Sequence, residues 1–162
     1  MFRNKKLAAI VTVLTIAAAF FTGSSIYATD NEWAGTWEGT GTGHIHVGLY
    51  TIEVFAYWKM NVDCDGIVFD DPEAGYPTYW EDEVNNAWGG FYGTINDETD
   101  HGSGTWDIDY PISTCTGTWE AYFSYEGDDA VMEGSWYYYN QLGQRIYGGT
   151  ISATRTSSGC PE

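Results

Sequence analysis

The residues best suited to hold a ligand are tryptophans that stand two positions after a glycine. The unit Gly-Thr/Ser-Trp occurs at residues 35–37, 104–106, 117–119 and 134–136. Residues i and i+2 of a strand point to the same face, so each glycine leaves room beside a large ring. The pattern predicts either interlocked packing or a slot with aromatic walls, which is the usual composition of a small-molecule site. The rings that we expect to line such a slot are Trp58, Trp106, Trp119, Trp136 and Tyr138.

Carboxylates clustered in loop-like segments form a second group with possible chemistry. The segment Asp63-Cys64-Asp65-Gly66 begins like an EF-hand loop, although the later acidic ligands of that motif are missing at their offsets. Ca²⁺ takes oxygen ligands from carboxylates and loop carbonyls. We weigh a calcium site against the simpler interpretation, solvated turn residues. The candidate ligands are Asp63, Asp65, Asp70 and Asp71.

A His-x-His pair is a third group. His44 and His46 lie on one face of a predicted strand, and two such imidazoles can provide two ligands to a transition metal. They point away from the apolar residues Ile45 and Val47. We therefore favour exposed surface histidines over a metal site.

Carboxylates within strands raise the question of catalysis. Glu53, Glu120 and Glu133 lie in predicted strands, and paired carboxylates can hydrolyse glycosides. Each falls on the predicted polar face, where a carboxylate needs no function. The chain contains no nucleophile elbow, phosphate loop or metalloprotease motif. We favour binding without catalysis and keep a glycoside-active enzyme as an alternative.

The three cysteines predict one disulfide and one remaining thiol. Cys64 continues the inward phase of one strand, and Cys115 begins the inward face of another. We therefore favour the pair Cys64–Cys115, which leaves Cys160 free or available to a second chain.

Strands must position these side chains, because period-two alternation dominates the chain. Residues 50–62, 115–125 and 130–138 alternate in this way, and turn sequences follow at 126–129 and 140–143. Short turns between neighbouring strands predict antiparallel hairpins. About eight to ten strands of this length must remove their edges, so we predict an all-β fold, an antiparallel up-and-down meander barrel.

Residues 1–28 have the pattern of a secretory signal. Basic residues precede an apolar run from Leu7 to Phe21, and a small-residue cleavage site ends at Ala28. We predict a signal peptide at 1–28 and a single barrel domain at 29–162, exported to the extracellular or periplasmic space. No later segment is apolar enough to predict a membrane span.

The charge narrows the choice of partners. The whole chain has a formal net charge of −17, and residues 29–162 contain all 23 acidic residues and three basic ones, hence −20. Such a surface repels nucleic acid and anionic lipid and attracts cations. We therefore exclude nucleic acid as a partner.

The first Gly-x-Trp unit, together with a basic residue near the C-terminus, resembles the calycin group of lipocalins, fatty-acid-binding proteins and avidin-like barrels. The residues that resemble the group are Gly35-Thr36-Trp37 and Arg155. In these families the tryptophan of the first strand packs under a basic residue of the last strand. The resemblance implies a barrel of this architecture, with Trp37 under Arg155.

These observations predict a secreted, non-catalytic binding protein, a monomer or weak oligomer. It would hold a small apolar or sugar-like molecule, a carbohydrate for example, against aromatic side chains. One alternative is a structural or self-assembling extracellular or envelope protein, which the tyrosine-rich segment 136–139 and a spare Cys160 would serve. A further alternative is an outer-membrane β-barrel, although charged residues interrupt the outer face.

Overall fold

The computed structural model describes residues 30–111 and 113–160, and the regular structure within these residues is entirely β-strand. The predicted signal peptide lies outside this part of the chain. The antiparallel all-β meander predicted from the sequence is confirmed. The strands are β1 (Gly35–Val47), β2 (Tyr50–Val62), β3 (Ile67–Phe69), β4 (Tyr79–Asp82), β5 (Ala87–Asn96), β6 (His101–Tyr110), β7 (Ser113–Glu126), β8 (Asp129–Tyr139) and β9 (Arg145–Ser158).

The sheet closes into a ring. β1 pairs with β2 on one side and with β9 on the other. The short strands β3 and β4 share one position, because each pairs with both β2 and β5. The ring therefore has eight strand positions. A barrel of about eight strands has an interior that side chains can just fill or that can hold one small ligand.

Alternation along each strand decides which side chains point inward. In β2, Val54, Ala56 and Trp58 are buried, whereas Phe55 and Tyr57 between them are exposed. Apolar residues stand at odd positions in β1 (Ile45, Val47) and at even positions in β2 (Ile52, Val54), and the two-residue turn between the strands accounts for this change of phase. The hydrophobic pattern thus sets the register, since a slip of one residue would turn every apolar side chain outward.

Aromatic rings interlock inside the ring of strands. The central one, Trp80 on β4, has its ring centroid 5.2 Å from that of Phe91 and 5.3 Å from that of Trp106. The Trp136 ring meets Trp80 edge-on at 5.6 Å. Glycines on neighbouring strands provide the space, because a Cβ on Gly117 would lie 2.6 Å from the Trp106 ring. Three of the four rings of the Gly-x-Trp units thus pack against a glycine of a neighbouring strand. The pairs are Trp106 with Gly117, Trp119 with Gly102, and Trp136 with Gly148.

The disulfide joins Cys64 to Cys160, with the Cα atoms 5.2 Å apart. The predicted pair Cys64–Cys115 is wrong, and Cys115 carries a free, half-buried thiol. The bridge ties the turn between β2 and β3 to the segment after β9.

The error has a geometrical cause. The turn after Cys64 accepts a backbone hydrogen bond from Ile95, near the C-terminal end of β5. Cys115 is level with Gly89, near the N-terminal end of the same strand. Alternation predicts the face that a side chain takes but not its height along the barrel. A disulfide requires Cα atoms within about 7 Å of each other, which the two ends of a long strand exceed.

Candidate functional site on the outer face

The five rings predicted to line a slot all belong to the interior, and each is at most 3% exposed. Their centroids lie between 5.3 and 6.5 Å from those of neighbouring aromatic rings. The indole N–H groups of three of them donate to backbone carbonyls across the sheet. The pairs are Trp106 with Thr118 and Tyr137, Trp119 with Tyr92, and Trp136 with Thr42.

This arrangement corresponds to interlocked packing, the other structure that the same sequence pattern allows. A ligand could reach Trp106, Trp119 or Trp136 only by displacing rings and breaking these hydrogen bonds. Such displacement costs several kcal/mol per large side chain, about as much as truncating one. The interior is therefore a packed core, and the aromatic rings that remain accessible are those that face outward.

A second set of rings stands on the outer face of β2 and β5. Phe55 and Tyr57 are 48% and 50% exposed, and their ring centroids are 5.8 Å apart. Trp88 and Tyr92 are 55% and 54% exposed. Between the two pairs of rings runs β4, whose Glu81 pairs with Tyr57 on one side and Trp88 on the other. We call Phe55, Tyr57, Glu81, Trp88 and Tyr92 the outer platform.

Glycine shapes the platform at one position. Gly90 lies between Trp88 and Tyr92 on the outer face of β5. The Tyr92 hydroxyl oxygen is 3.1 Å, and its ring carbon Cζ 3.3 Å, from the point that a Cβ of Gly90 would occupy. The Tyr92 ring therefore lies back along the strand over Gly90, towards Trp88. Any side chain at Gly90 would lift this ring away from the sheet.

Carboxylates accompany these rings. Glu81 separates Tyr57 from Trp88, and Asp109 pairs with Trp88 from the other side. Asp107 accepts a hydrogen bond from the backbone N–H of Gly90 at 3.3 Å. An ionised carboxylate offers several acceptor positions and no donor. The platform thus combines apolar ring faces with acceptors for hydroxyl groups.

An open groove of about 530 Å³ runs along one side of the platform. It follows the outer face from β1 to β4, and a salt bridge between Lys59 and Glu38, with N and O 3.3 Å apart, stands beside it. Its lining includes Glu38, Thr40, Tyr57, Tyr79, Glu81 and Glu83. The groove is wide and shallow, which suits a chain laid along a surface better than a small molecule enclosed in a pocket.

Sequence reasoning missed the outer platform, although a signal was present. Phe55 and Tyr57 stand on the face of β2 that also carries Glu53 and Lys59. Large aromatic residues on an otherwise polar face are the residues to question, because burial does not account for them. These rings share a surface with Trp88 only because β4 lies between β2 and β5. The alternation pattern does not reveal this pairing of β4.

Three of the four predicted calcium ligands cap turns with their carboxylates, and Asp65 donates its backbone N–H to one of them. Asp63 Oδ1 accepts backbone N–H bonds from Asp65 and Ile67 at 3.0 and 2.8 Å. Asp70 accepts one from Thr78, and Asp71 one from Ala74. Within the described residues, a set of possible ligand atoms less than 4.8 Å apart is formed by Asp30, Cys64 and Cys160, whose sulfurs are joined. A calcium site at the four aspartates stays a prediction.

Of the strand carboxylates considered for catalysis, Glu120 has structural partners. It accepts a hydrogen bond of 2.7 Å from the Tyr137 hydroxyl, and Arg145 lies 3.6 Å away. The guanidinium of Arg145 also stacks 3.5 Å above the Tyr137 ring. The hydrogen bond to Glu120 is the largest cause that raises the pKa of Tyr137. These contacts join β7, β8 and β9 on the outer face.

A buried carboxylate, Asp82, stands at the end of β4. Asp82 is fully buried and accepts hydrogen bonds from the backbone N–H and the side-chain amide of Asn85. Burial, and then the charge of Asp82, raise the pKa of the Tyr110 hydroxyl. Burial also raises the pKa of the Cys115 thiol. A thiol kept protonated is a weak nucleophile, so Cys115 is unsuited to covalent chemistry. Asp82 stabilises the turn after β4 through its hydrogen bonds with Asn85.

Trp37 and Arg155, the two residues on which the resemblance to calycins rests, are neighbours in the structure. Trp37 pairs with Arg155 across β1 and β9, and the guanidinium carbon lies 5.8 Å from the centre of the Trp37 ring. Arg155 also donates to the backbone carbonyl of Glu32 at 2.7 Å and to the Tyr125 hydroxyl at 3.2 Å. The basic residue thus ties the last strand to the segment that precedes the first.

The part of the chain that the structure describes contains no helix long and apolar enough to cross a membrane. Comparison with family models, with curated proteins and with solved structures finds no significant match for this chain.

Proposed function

We propose that this protein is an exported, non-catalytic binding protein that holds an uncharged carbohydrate chain against the outer platform. The observation that carries the proposal is the exposure of four large rings on the outer face of β2 and β5, two of which, Tyr57 and Trp88, flank Glu81. A monomeric protein rarely leaves neighbouring large apolar side chains exposed unless they contact something. The interior rings pack against one another, whereas the platform rings are about half exposed to solvent.

The carboxylates favour a sugar over a lipid or another wholly apolar ligand. Glu81, Asp107 and Asp109 stand beside the rings and can each accept hydrogen bonds from hydroxyl groups. An apolar ligand would remove these charges from water without compensation, which is costly. A sugar offers an apolar C–H face to a ring and hydroxyl groups at its edge.

The overall charge narrows the carbohydrate class further. With a net charge of −20 over residues 29–162, the surface repels uronic-acid and sulfated polysaccharides over the distance of the ionic atmosphere. A neutral polysaccharide carries no such penalty. The open groove beside Tyr57, whose lining extends from Glu38 on β1 to Glu81 on β4, favours several sugar units in a row over a single one.

We also propose that the protein is exported and that its barrel is of the calycin type. A disulfide such as Cys64–Cys160 persists in oxidising compartments and is rare in the cytosol, which supports a location outside it. The stacking of Arg155 near Trp37 supports a calycin-like barrel. The rival idea of a self-assembling protein loses one of its arguments, because Cys160 is bonded to Cys64 and leaves no spare thiol at that position.

The experiment is isothermal titration of the purified protein with neutral hexasaccharides of glucose, xylose, mannose and N-acetylglucosamine. At least one should bind, and Trp88→Ala and Tyr57→Ala should each raise its Kd by about tenfold or more, the effect of removing a central aromatic contact. The matched control is Tyr139→Ala, an exposed tyrosine on β8, on the far side of the ring from β4.

Two results would overturn the proposal. The first is that none of the four hexasaccharides binds at millimolar concentration. The second is that binding occurs but Trp88→Ala and Tyr139→Ala affect it equally, which would place the sugar away from the platform.

A further inference from the structure

The proposed sugar site makes no use of the two neighbouring histidines. His44 and His46 stand on the outer face of β1, both exposed, with their ring centroids 4.9 Å apart. We propose that His44, His46 and Glu53 bind a divalent transition-metal ion such as Zn²⁺, with the two imidazoles and the carboxylate as ligands. The three ligands lie outside the outer platform, although Phe55 of the platform lines the depression above them.

The register of the hairpin brings the third ligand into place. Glu53 on β2 is the direct partner of His44 on β1. The Cβ atoms of directly opposite residues in an antiparallel pair lie about 4.5–5.5 Å apart, and both side chains project from the same face. Two ligands two residues apart on one strand, and a third on the next, converge on a single point above the sheet. Three protein ligands with an open fourth position are a common arrangement for zinc.

One imidazole is already held in orientation. The Nδ1 atom of His46 lies 3.0 Å from the hydroxyl oxygen of Thr51, its partner across the hairpin. A metal-binding histidine usually has its other ring nitrogen fixed by a hydrogen bond, which sets the tautomer and turns the free nitrogen towards the ion. Thr51 is therefore a positioning residue in this proposal, and Nε2 of His46 is the ligand atom.

A concavity lies over the same residues. An open depression of about 480 Å³ is lined by His44, His46, Thr51 and Glu53, with Thr42 and Gly43 at its edge. Its walls come from both strands of the hairpin, so side chains of β1 and of β2 can both contact an ion within it. The depression provides room for the ion together with a water ligand at the open position.

Binding requires a small adjustment. In the part of the chain that the structure describes, the possible ligand atoms of His44, His46 and Glu53 are not all within 4.8 Å of one another. Glu53 is exposed, and an exposed side chain changes rotamer in picoseconds to nanoseconds. Rotation of Glu53 towards its cross-strand partner completes the set, and the high negative charge of the protein raises the local concentration of cations.

The test is titration of the full protein with ZnCl₂ and, separately, with CuCl₂. The expected result is one tight site per chain. His44→Ala and His46→Ala should each weaken binding at least about tenfold, Thr51→Val should weaken it, and Thr51→Ser should restore it, as for orienting partners of metal ligands. The matched control is His101→Ala, because His101 packs on Tyr122 at the opposite end of the barrel and should have no effect.

Electron paramagnetic resonance of the Cu²⁺ form provides a readout that a change in stability would not alter. The spectrum should show coupling to two imidazole nitrogens in the wild type and to one in His44→Ala. The proposal is overturned if His44→Ala binds as tightly as the wild type, or if His101→Ala weakens binding as much. It is also overturned if Asp63→Asn weakens Zn²⁺ binding and His46→Ala does not, since the ion would then occupy the acidic turns.

Discussion

The rings inside the barrel and the rings on its outer face are of the same residue types but have different surroundings. Trp80 and Trp88 make the comparison most directly, because Trp80 pairs with Gly89, the residue that follows Trp88. Trp80 is 1% exposed and contacts three other rings, whereas Trp88 is 55% exposed. The comparison teaches that abundance of aromatic residues does not predict a ligand site. The face of the strand on which a ring stands, and whether other rings cover it, decides the matter.

The largest expected effect concerns stability. Trp80→Ala removes the central ring of the core and should lower the free energy of unfolding by about 3–5 kcal/mol, as large-to-small changes in cores do. Trp88→Ala removes an exposed ring and should change it by less than about 0.5 kcal/mol. Chemical denaturation followed by far-ultraviolet circular dichroism measures both. Equal decreases in the free energy of unfolding would contradict the assignment of Trp80 to the buried face and Trp88 to the exposed face.

A second prediction adds volume instead of removing it. A Cβ on Gly117 would clash with the backbone carbonyl oxygen of Tyr137 and would lie 2.6 Å from the Trp106 ring, so Gly117→Val should destabilise the fold by about 1–3 kcal/mol or more through overpacking. Thr116→Val, one position away on the exposed face, is the control and should have little effect. If Gly117→Val were as stable as the wild type, the close approach of Tyr137 and Trp106 to Gly117 would be contradicted.

The extent of sequence-based prediction follows from the same comparison. Alternation placed Trp58, Trp106 and Trp119 on the inner face, and the structure agrees. It left open whether such rings interlock or enclose a slot. Trp80 provides the answer, because this ring from a strand of four residues enters between the others. Nothing local to residues 79–82 signals that position.

Two features depend on distances between strands that are remote in sequence. The pair Cys64–Cys160 depends on where the segment after β9 ends, and the inward phase of Cys115 contains no information about height along the barrel. The outer platform depends on β4 lying between Tyr57 and Trp88. Short turns predict which consecutive strands pair, but the position shared by β3 and β4 requires pairing across a nine-residue excursion, residues 70–78.

A third prediction compares a buried tyrosine with an outer one. Burial, and then the charge of Asp82, raise the pKa of Tyr110, so the unfolded chain ionises first as the pH rises above about 10. The free energy of unfolding therefore falls as the pH rises from about 10 towards the raised pKa of Tyr110 in the folded protein. Tyr110→Phe should lose less stability between about pH 8 and 10.5 than the wild type does, because it lacks this ionisation.

Tyr137 is the matched outer position. Its pKa is raised chiefly by the hydrogen bond it donates to Glu120 on the surface. Tyr137→Phe should reduce the alkaline loss of stability by less than Tyr110→Phe does, because exposed interactions are screened by solvent. Urea denaturation at both pH values gives the comparison, and a larger effect at Tyr137 would contradict the assignment of Tyr110 to the interior.

The most direct test of the central claim, that a ligand binds outside the barrel, is acrylamide quenching of tryptophan fluorescence. All eight tryptophans lie in the described residues, seven are buried and Trp88 is exposed. Quenching should therefore arise mainly from Trp88 and fall to a low residual level in Trp88→Phe. A saturating neutral hexasaccharide that binds should protect Trp88 and reduce the quenching towards the level of that variant. Unchanged quenching of Trp88 with the sugar bound would contradict the account.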